Sequence, residues 1–190
     1  MTLFDVNSVL NSVDPDENYF ENGESVSSAQ CNYFSFQEYN DLQKNSKNSI
    51  SIICYNVRSL NANKDSFFAM LNSLESYPEI LILTETWYTN DSIIEINGFV
   101  GFHTLRGNQR RSGGVSIYID KRINPKFLPN FSFSNLSIEI CSVKFKIGSE
   151  MWYLFGVYRP HSGTNDELIE HLNEILNSAE LGRSKILIAT

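Results

Sequence analysis

The chain has 190 residues, 42% of them hydrophobic and 13% aromatic, which fits one globular domain and excludes a wholly disordered chain. Its net charge of −7 is unevenly placed: residues 1–43 hold eight acidic residues and no Lys or Arg, leaving 14 acidic against all 15 basic residues in the remainder. The acidity thus belongs to the leading segment and does not exclude a polyanionic ligand for the rest.

No basic stretch followed by an apolar core marks a secretory signal, and no apolar run approaches the roughly 20 residues of a membrane span. Cys31, Cys54 and Cys141 have neither paired nor zinc-type spacing. Cys54 and Cys141 lie in apolar runs and read as buried thiols, a usage that suits a reducing compartment. The expectation is an intracellular protein of nucleus or cytoplasm with no membrane partner.

Residues 1–48, rich in Asn, Ser, Asp and Glu, read as an acidic polar leader that is mostly disordered, with one aromatic patch at Tyr33, Phe34, Phe36 and Tyr39. The functional alternative is an acidic arm that mimics nucleic acid or recruits a basic partner. The domain then begins at residue 49. Ile50 to Asn56 is a strand, Asn63 a candidate cap, and Phe67, Phe68, Leu71 and Leu74 recur at helical spacing. Pro78 ends that helix, and Glu79 to Thr84 returns as a parallel-type strand, giving a right-handed β-α-β unit.

Phe99 to Leu105 is a weaker strand, and Arg106, Arg110 and Arg111 stand in or beside a polar loop that either touches phosphates or is simply solvated. Gly113-Gly114 leads into a strand over Val115 to Ile119. Leu136 to Ile147 alternates, with a slip near Cys141 that reads as a bulge, and a turn at Ile147-Gly148-Ser149 returns the chain as Met151 to Val157. Thr164 and Glu167 have capping-box spacing, and Leu168, Leu172, Ile175, Leu176 and Ala179 form a helical stripe stopped by Gly182. Lys185 to Ala189 is a last apolar strand.

Three apolar strands end in polar residues of chemical interest: Ile50 to Tyr55 delivers Asn56, Ile80 to Leu83 delivers Thr84 and Glu85, and Trp152 to Val157 delivers Tyr158. In layered α/β folds chemistry gathers at such strand ends. Each residue also has a plain reading: Asn56 capping a turn, Glu85 as a solvated or paired carboxylate, Tyr158 as an edge aromatic, and Trp87 as packing beside the site.

Four segments occur in an order that resembles the endonuclease/exonuclease/phosphatase family, in particular the apurinic-type endonuclease of non-LTR (LINE-type) retrotransposons. They are Tyr55-Asn56-Val57-Arg58-Ser59-Leu60, Leu83-Thr84-Glu85-Thr86-Trp87, Arg111-Ser112-Gly113-Gly114-Val115-Ser116-Ile117-Tyr118 and Gly156-Val157-Tyr158-Arg159-Pro160. The resemblance covers about residues 50–190. It implies an α/β fold, the N-terminal part of a four-layer α/β/β/α sandwich, and hydrolysis of phosphodiester bonds in DNA with Mg²⁺ or Mn²⁺. It also implies that Glu85 is the metal ligand, that Asn56 orients phosphate or carboxylate, and that Tyr158 donates to a phosphate oxygen. Arg58, Arg159 and Arg111 are the matching candidates for substrate contact. A reverse transcriptase in a longer parent polyprotein would be the expected companion.

This sequence also departs from the family pattern. The Gly-Asp-x-Asn type motif and the later Asp/His pair are missing, and His103, His161 and His171 do not stand at the matching place. The expectation is therefore a chain that is C-terminally truncated and catalytically incomplete, with most of one sheet, little of the second, and an open apolar face prone to self-association. The other readings are a non-catalytic remnant that binds nucleic acid or protein, and a phosphatase or lipid phosphodiesterase of the same fold.

Overall fold

The computed structural model describes residues 36–45, 50–107, 112–178, 182 and 184–190. The chain divides into two compact units, Met1–Ser49 and Ile50–Thr190. In the first, helix α1 spans Phe36–Asn45, where the sequence pattern suggested only an aromatic patch. Glu38 in its first turn suits the positive end of the helix dipole. Tyr33, Phe34 and the rest of the leader lie outside the described residues.

The second unit runs β1 (Ile52–Asn56), α2 (Lys64–Asn72), β2 (Ile80–Thr84), β3 (Phe99–Thr104), β4 (Val115–Asp120), β5 (Lys126–Phe127), β6 (Phe133–Ser134), β7 (Glu139–Ile147), β8 (Glu150–Tyr158), α3 (Asn165–Leu176) and β9 (Lys185–Ala189). One sheet has four strands in the order β1-β2-β4-β3, with β1 and β2 parallel and the other pairs antiparallel. The other has five: β5-β7-β8-β9, with β6 also on β7, a long β7-β8 hairpin, and β8 parallel to β9. The expectation of little second sheet is therefore wrong; the short strands β5 and β6 and the full-length hairpin build it.

The two sheets face each other. Ile80, Ile82, Val115, Ile117 and Ile119 of the first pack with Cys141, Val143, Phe145, Leu154 and Ala189 of the second. Side chains alternate along a strand, so Leu81 and Leu83 point to the opposite face. Leu83 is the register partner of Tyr55, whose ring stacks on Phe67 of α2, which places α2 on that outer face. On the far side, Leu168, Leu172 and Ile175 of α3 cover Ile138, Ile140, Tyr153, Phe155 and Val157. The layers are thus helix, sheet, sheet, helix, and the unbroken apolar run of β2 is buried along its whole length because both its faces are covered.

Local details correct the sequence reading. β7 keeps continuous register with β8 from Glu139↔Tyr158 to Ile147↔Glu150, without the bulge expected at Cys141. The broken alternation there reflects burial on both faces. Cys54 is exposed, not buried, because β1 lies at a sheet edge; Cys141 is buried as expected. Asn63 stands at the N-cap of α2 without capping it by side chain, and its amide instead donates to the carbonyls of Val57 and Arg58. The Thr164–Glu167 capping box is formed, but α3 ends at Leu176, with Asn177 at its C-cap, short of Gly182. Among the described residues no helix is long and apolar enough to cross a membrane.

At Gly156 the first sheet's side chains fill the space a Cβ would occupy. A Cβ there would lie 2.9 Å from Ile82 Cγ2, 3.2 Å from Val115 and 3.3 Å from Ile117. Gly156→Ala is expected to cost about 1–3 kcal/mol by overpacking. Gly107→Ala, whose Cβ meets open space, should stay within about 0.5 kcal/mol of the parent. Urea denaturation of both variants measures the difference.

Candidate active site

Parallel pairing brings the ends of β1 and β2 together, with Asn56 opposite Thr84. Antiparallel pairing brings the start of β4 to the same place, with Val115 opposite Thr84. The end of β8 arrives from the second sheet. Three side chains then join: Asn56 Nδ2 donates to Glu85 Oε1 at 2.9 Å, and the Tyr158 hydroxyl donates to the same oxygen at 2.6 Å. Asn56 Oδ1 accepts the Arg58 N–H at 3.3 Å. Both bonds to the carboxylate land on Oε1, so Oε2 takes neither.

The backbone around this node is strained. Among the described residues five non-glycine positions have positive φ, and four of them flank the node: Arg58 (41°), Ser59 (75°), Glu85 (52°) and Trp87 (54°). Each such residue costs of the order of 1–3 kcal/mol and persists only where its surroundings over-determine it. Here they do. Ser59 N–H donates to the Glu85 carbonyl (2.8 Å) and Leu60 N–H to that of Thr86 (3.1 Å). On the other side Thr86 N–H donates to the Gly114 carbonyl (3.2 Å) and Trp87 N–H to that of Gly113 (2.9 Å). The segment carrying Glu85 is clamped between the loop after β1 and the glycine pair before β4.

Partial burial works against ionisation of Glu85. The hydrogen bonds from Tyr158 and Asn56 and the nearby charge of Arg58 outweigh it, holding the carboxyl below its ordinary range. Tyr158 is pushed above the ordinary phenol range by burial and by donating to a charged carboxylate, so it remains a donor. The node is therefore an anion at neutral pH, half-exposed, with one amide and one phenol fixing its orientation.

The chain superposes on the endonuclease domain of TRAS1, a telomere-specific non-LTR retrotransposon, with a TM-score of 0.52 and 13% identity, over 73% of this chain and 58% of that one. On the human Nocturnin catalytic domain with bound sulfate anion the TM-score is 0.50 at 12% identity, over 73% and 62%. On an AP endonuclease from Leishmania major it is 0.47 at 16%, over 66% and 45%. The fold is that of the endonuclease/exonuclease/phosphatase proteins. The chain spans 45–62% of the length of these structures. No family model matches the sequence, and no curated protein matches it.

On this endonuclease/exonuclease/phosphatase frame, the structure brings Asn56, Glu85 and Tyr158 together and keeps Arg58 close enough for its charge to act on Glu85. Arg159 is turned elsewhere, donating to the Gly163 carbonyl at 2.9 Å. Arg111 and Arg110 lie outside the described residues. Arg106 is no free loop cation: its side chain is 13% exposed, with Nε 3.3 Å from Glu139 Oε1. The histidines stand apart. His103 is a half-buried partner of Ser116 whose pKa is held down to about 4 by burial; His171 pairs with Glu174; and His161 is exposed.

Two features escaped the sequence reading. Glu139, with none of its surface exposed, accepts the Gly114 N–H on Oε2. Gly113 must lack a side chain, because a Cβ would collide with the Glu139 carboxylate and with Arg106 Cδ. The Gly113-Gly114 dipeptide itself was the available signal, since adjacent glycines before a strand mark a close backbone approach.

A depressed carboxyl binds fewer protons folded than unfolded, so Glu85 contributes stability that is present above the unfolded carboxylate range and lost as pH falls through its folded value. Carbon-detected NMR titration is expected to place Glu85 below an ordinary glutamate. In Tyr158→Phe, which removes a donor to the charged form, the titration should move back up toward the ordinary value.

Proposed function

We propose that this chain carries the metal-binding half of a DNA phosphodiesterase site, of the kind that nicks target DNA for a retrotransposon, with Glu85 as the metal carboxylate. The single observation that supports this reading is the convergence of Asn56 and Tyr158 on Glu85 Oε1, at a backbone held in the left-handed region. Mg²⁺ and Mn²⁺ suit the donor set. Such hard cations take carboxylate oxygen, and Mg²⁺ binds through one or two carboxylates plus substrate phosphates while keeping several waters. When bound, the ion would neutralise charge on the scissile phosphate and the departing oxygen.

The protein's own groups would do the rest. Glu85, ionised and aimed by two donors, supplies the anchor. The Tyr158 hydroxyl, firmly protonated, would be available to donate to a non-bridging phosphate oxygen. Asn56 would keep the carboxylate oriented, and Arg58 would add positive charge beside a bound phosphate. Arg159 would join only by leaving Gly163.

A water-activating base must stand within hydrogen-bond reach of the water it deprotonates. Among the described residues no group of three His, Cys, Asp or Glu side chains gathers to hold a metal ion, and the side chains hydrogen-bonded to Glu85 are an amide and a phenol. We therefore propose that these 190 residues are catalytically incomplete, with the base and any reverse transcriptase belonging to a longer parent protein.

Mn²⁺ titration followed by electron paramagnetic resonance, run beside a plasmid assay, tests both parts. The chain is expected to bind Mn²⁺, Glu85→Gln to weaken binding about 10- to 100-fold, and supercoiled plasmid to remain closed. Equal Mn²⁺ binding by parent and Glu85→Gln would remove the metal role. Clean nicking that Glu85→Ala abolishes would overturn the incompleteness.

A further inference from the structure

Glu139 is a buried carboxyl whose charged form burial disfavours. Its carboxylate is fully buried at the start of β7, and among the described residues Oε1 has no hydrogen-bond partner, the Arg106 guanidinium lying 3.3 Å away. An ionised carboxylate in such a place must be compensated, and a fold gains little stability from a buried ion pair of this kind. Two independent routes connect it to the node. Through the sheet, Glu139 is the register partner of Tyr158, whose hydroxyl holds Glu85. Through the loop, Glu139 Oε2 takes the Gly114 N–H, and the carbonyls of Gly114 and Gly113 take the N–H groups of Thr86 and Trp87, the two residues after Glu85.

We propose that Glu139, held by Arg106, is a positioning residue for Glu85: it locks the Gly113-Gly114 clamp and thereby sets the orientation, and hence the cation affinity, of the Glu85 carboxylate. This rests on reading Glu85 as the metal ligand. Three observations combine. Gly114 has its one N–H committed to Glu139. Gly113 can bear no side chain because the Glu139 carboxylate and Arg106 fill that space. The segment they clamp contains two residues of positive φ, Glu85 and Trp87, which would relax if released. The charges of Glu85 and Glu139 also act on each other: ionised Glu85, after burial, helps push the Glu139 carboxyl up, while the Gly114 N–H and Arg106 pull it down.

The test separates positioning from packing. Glu139→Gln keeps an acceptor for Gly114, whereas the double variant Glu139→Leu/Arg106→Met replaces the pair with apolar groups of similar volume, a change that often leaves stability intact. In metal-free protein, hydrogen exchange at the Thr86 and Trp87 amides is expected to quicken at least about tenfold in the double variant and to stay near the parent in Glu139→Gln. Mn²⁺ affinity, read by electron paramagnetic resonance, should fall roughly 10- to 100-fold in the double variant and recover in Glu139→Gln. A folded double variant with parental exchange at both amides and parental Mn²⁺ affinity would overturn the proposal. If Mn²⁺ binding proves indifferent to Glu85→Gln, the metal reading fails by itself, and exchange at the two amides still decides whether Glu139 holds the clamp. Should the double variant not fold, the same exchange measurement on Arg106→Gln replaces it. Quickened exchange there supports the lock, and parental exchange overturns it.

Discussion

The site depends on one backbone constraint, the left-handed conformation of Glu85 directly after β2. An extended residue at that point would continue the ladder and send its side chain onto one of the two covered faces of the sheet. The turn at Glu85 instead carries the carboxylate out of the ladder to where Asn56 and Tyr158 reach it. Nothing in the glutamate favours that geometry. It is imposed by hydrogen bonds from both sides, the loop after β1 taking the carbonyls of Glu85 and Thr86 and the glycine pair taking the N–H groups of Thr86 and Trp87. The conformational cost at the node is offset by packing elsewhere, chiefly the face-to-face core in which Ile82, Val115 and Ile117 close on Gly156.

The two carboxylates near the node have been given opposite environments. Glu85 is half-exposed and receives two donors and a nearby cation, so its charged form is favoured. Glu139 is sealed, receives one backbone donor and one guanidinium, and feels the charge of Glu85, so its charged form is disfavoured. Environments that drive like groups apart in this way are a common means of assigning different tasks to the same chemistry. The exposed carboxylate can meet a ligand, while the sealed one acts on the backbone and on the arginine that the sequence had offered as a loop cation.

What was legible in the sequence follows from which physical signals are local. The Ile80–Thr84 run, the helix around Phe67 and Leu71, and the Thr164–Glu167 box are set by neighbours a few positions apart, and each appears. Asn56, Glu85 and Tyr158 stood out because a polar residue ending an apolar strand is conspicuous; that they share one oxygen required the register of β1 on β2 and the facing of two sheets. Glu139 was hidden for the opposite reason. Placed between Ile138 and Ile140, it looked like the solvent side of an alternating strand, yet β7 is covered on both faces and has no such side at that end. Cys54 misled in the converse direction, an apolar run suggesting burial on a strand whose position at the sheet edge leaves it open.

A site with a single carboxylate places unusual weight on orientation. Where several anionic ligands surround a cation, a misplaced one is compensated by the others. On the proposed reading of Glu85 as a metal ligand, a small rotation of its side chain would change both cation affinity and the placement of a phosphate. Much of the structure is committed to this one residue: two donors on Oε1, four strained φ angles around it, a glycine pair that tolerates no side chain, and a buried ion pair that adds little to stability. Rigidity at Glu85 is what these features share.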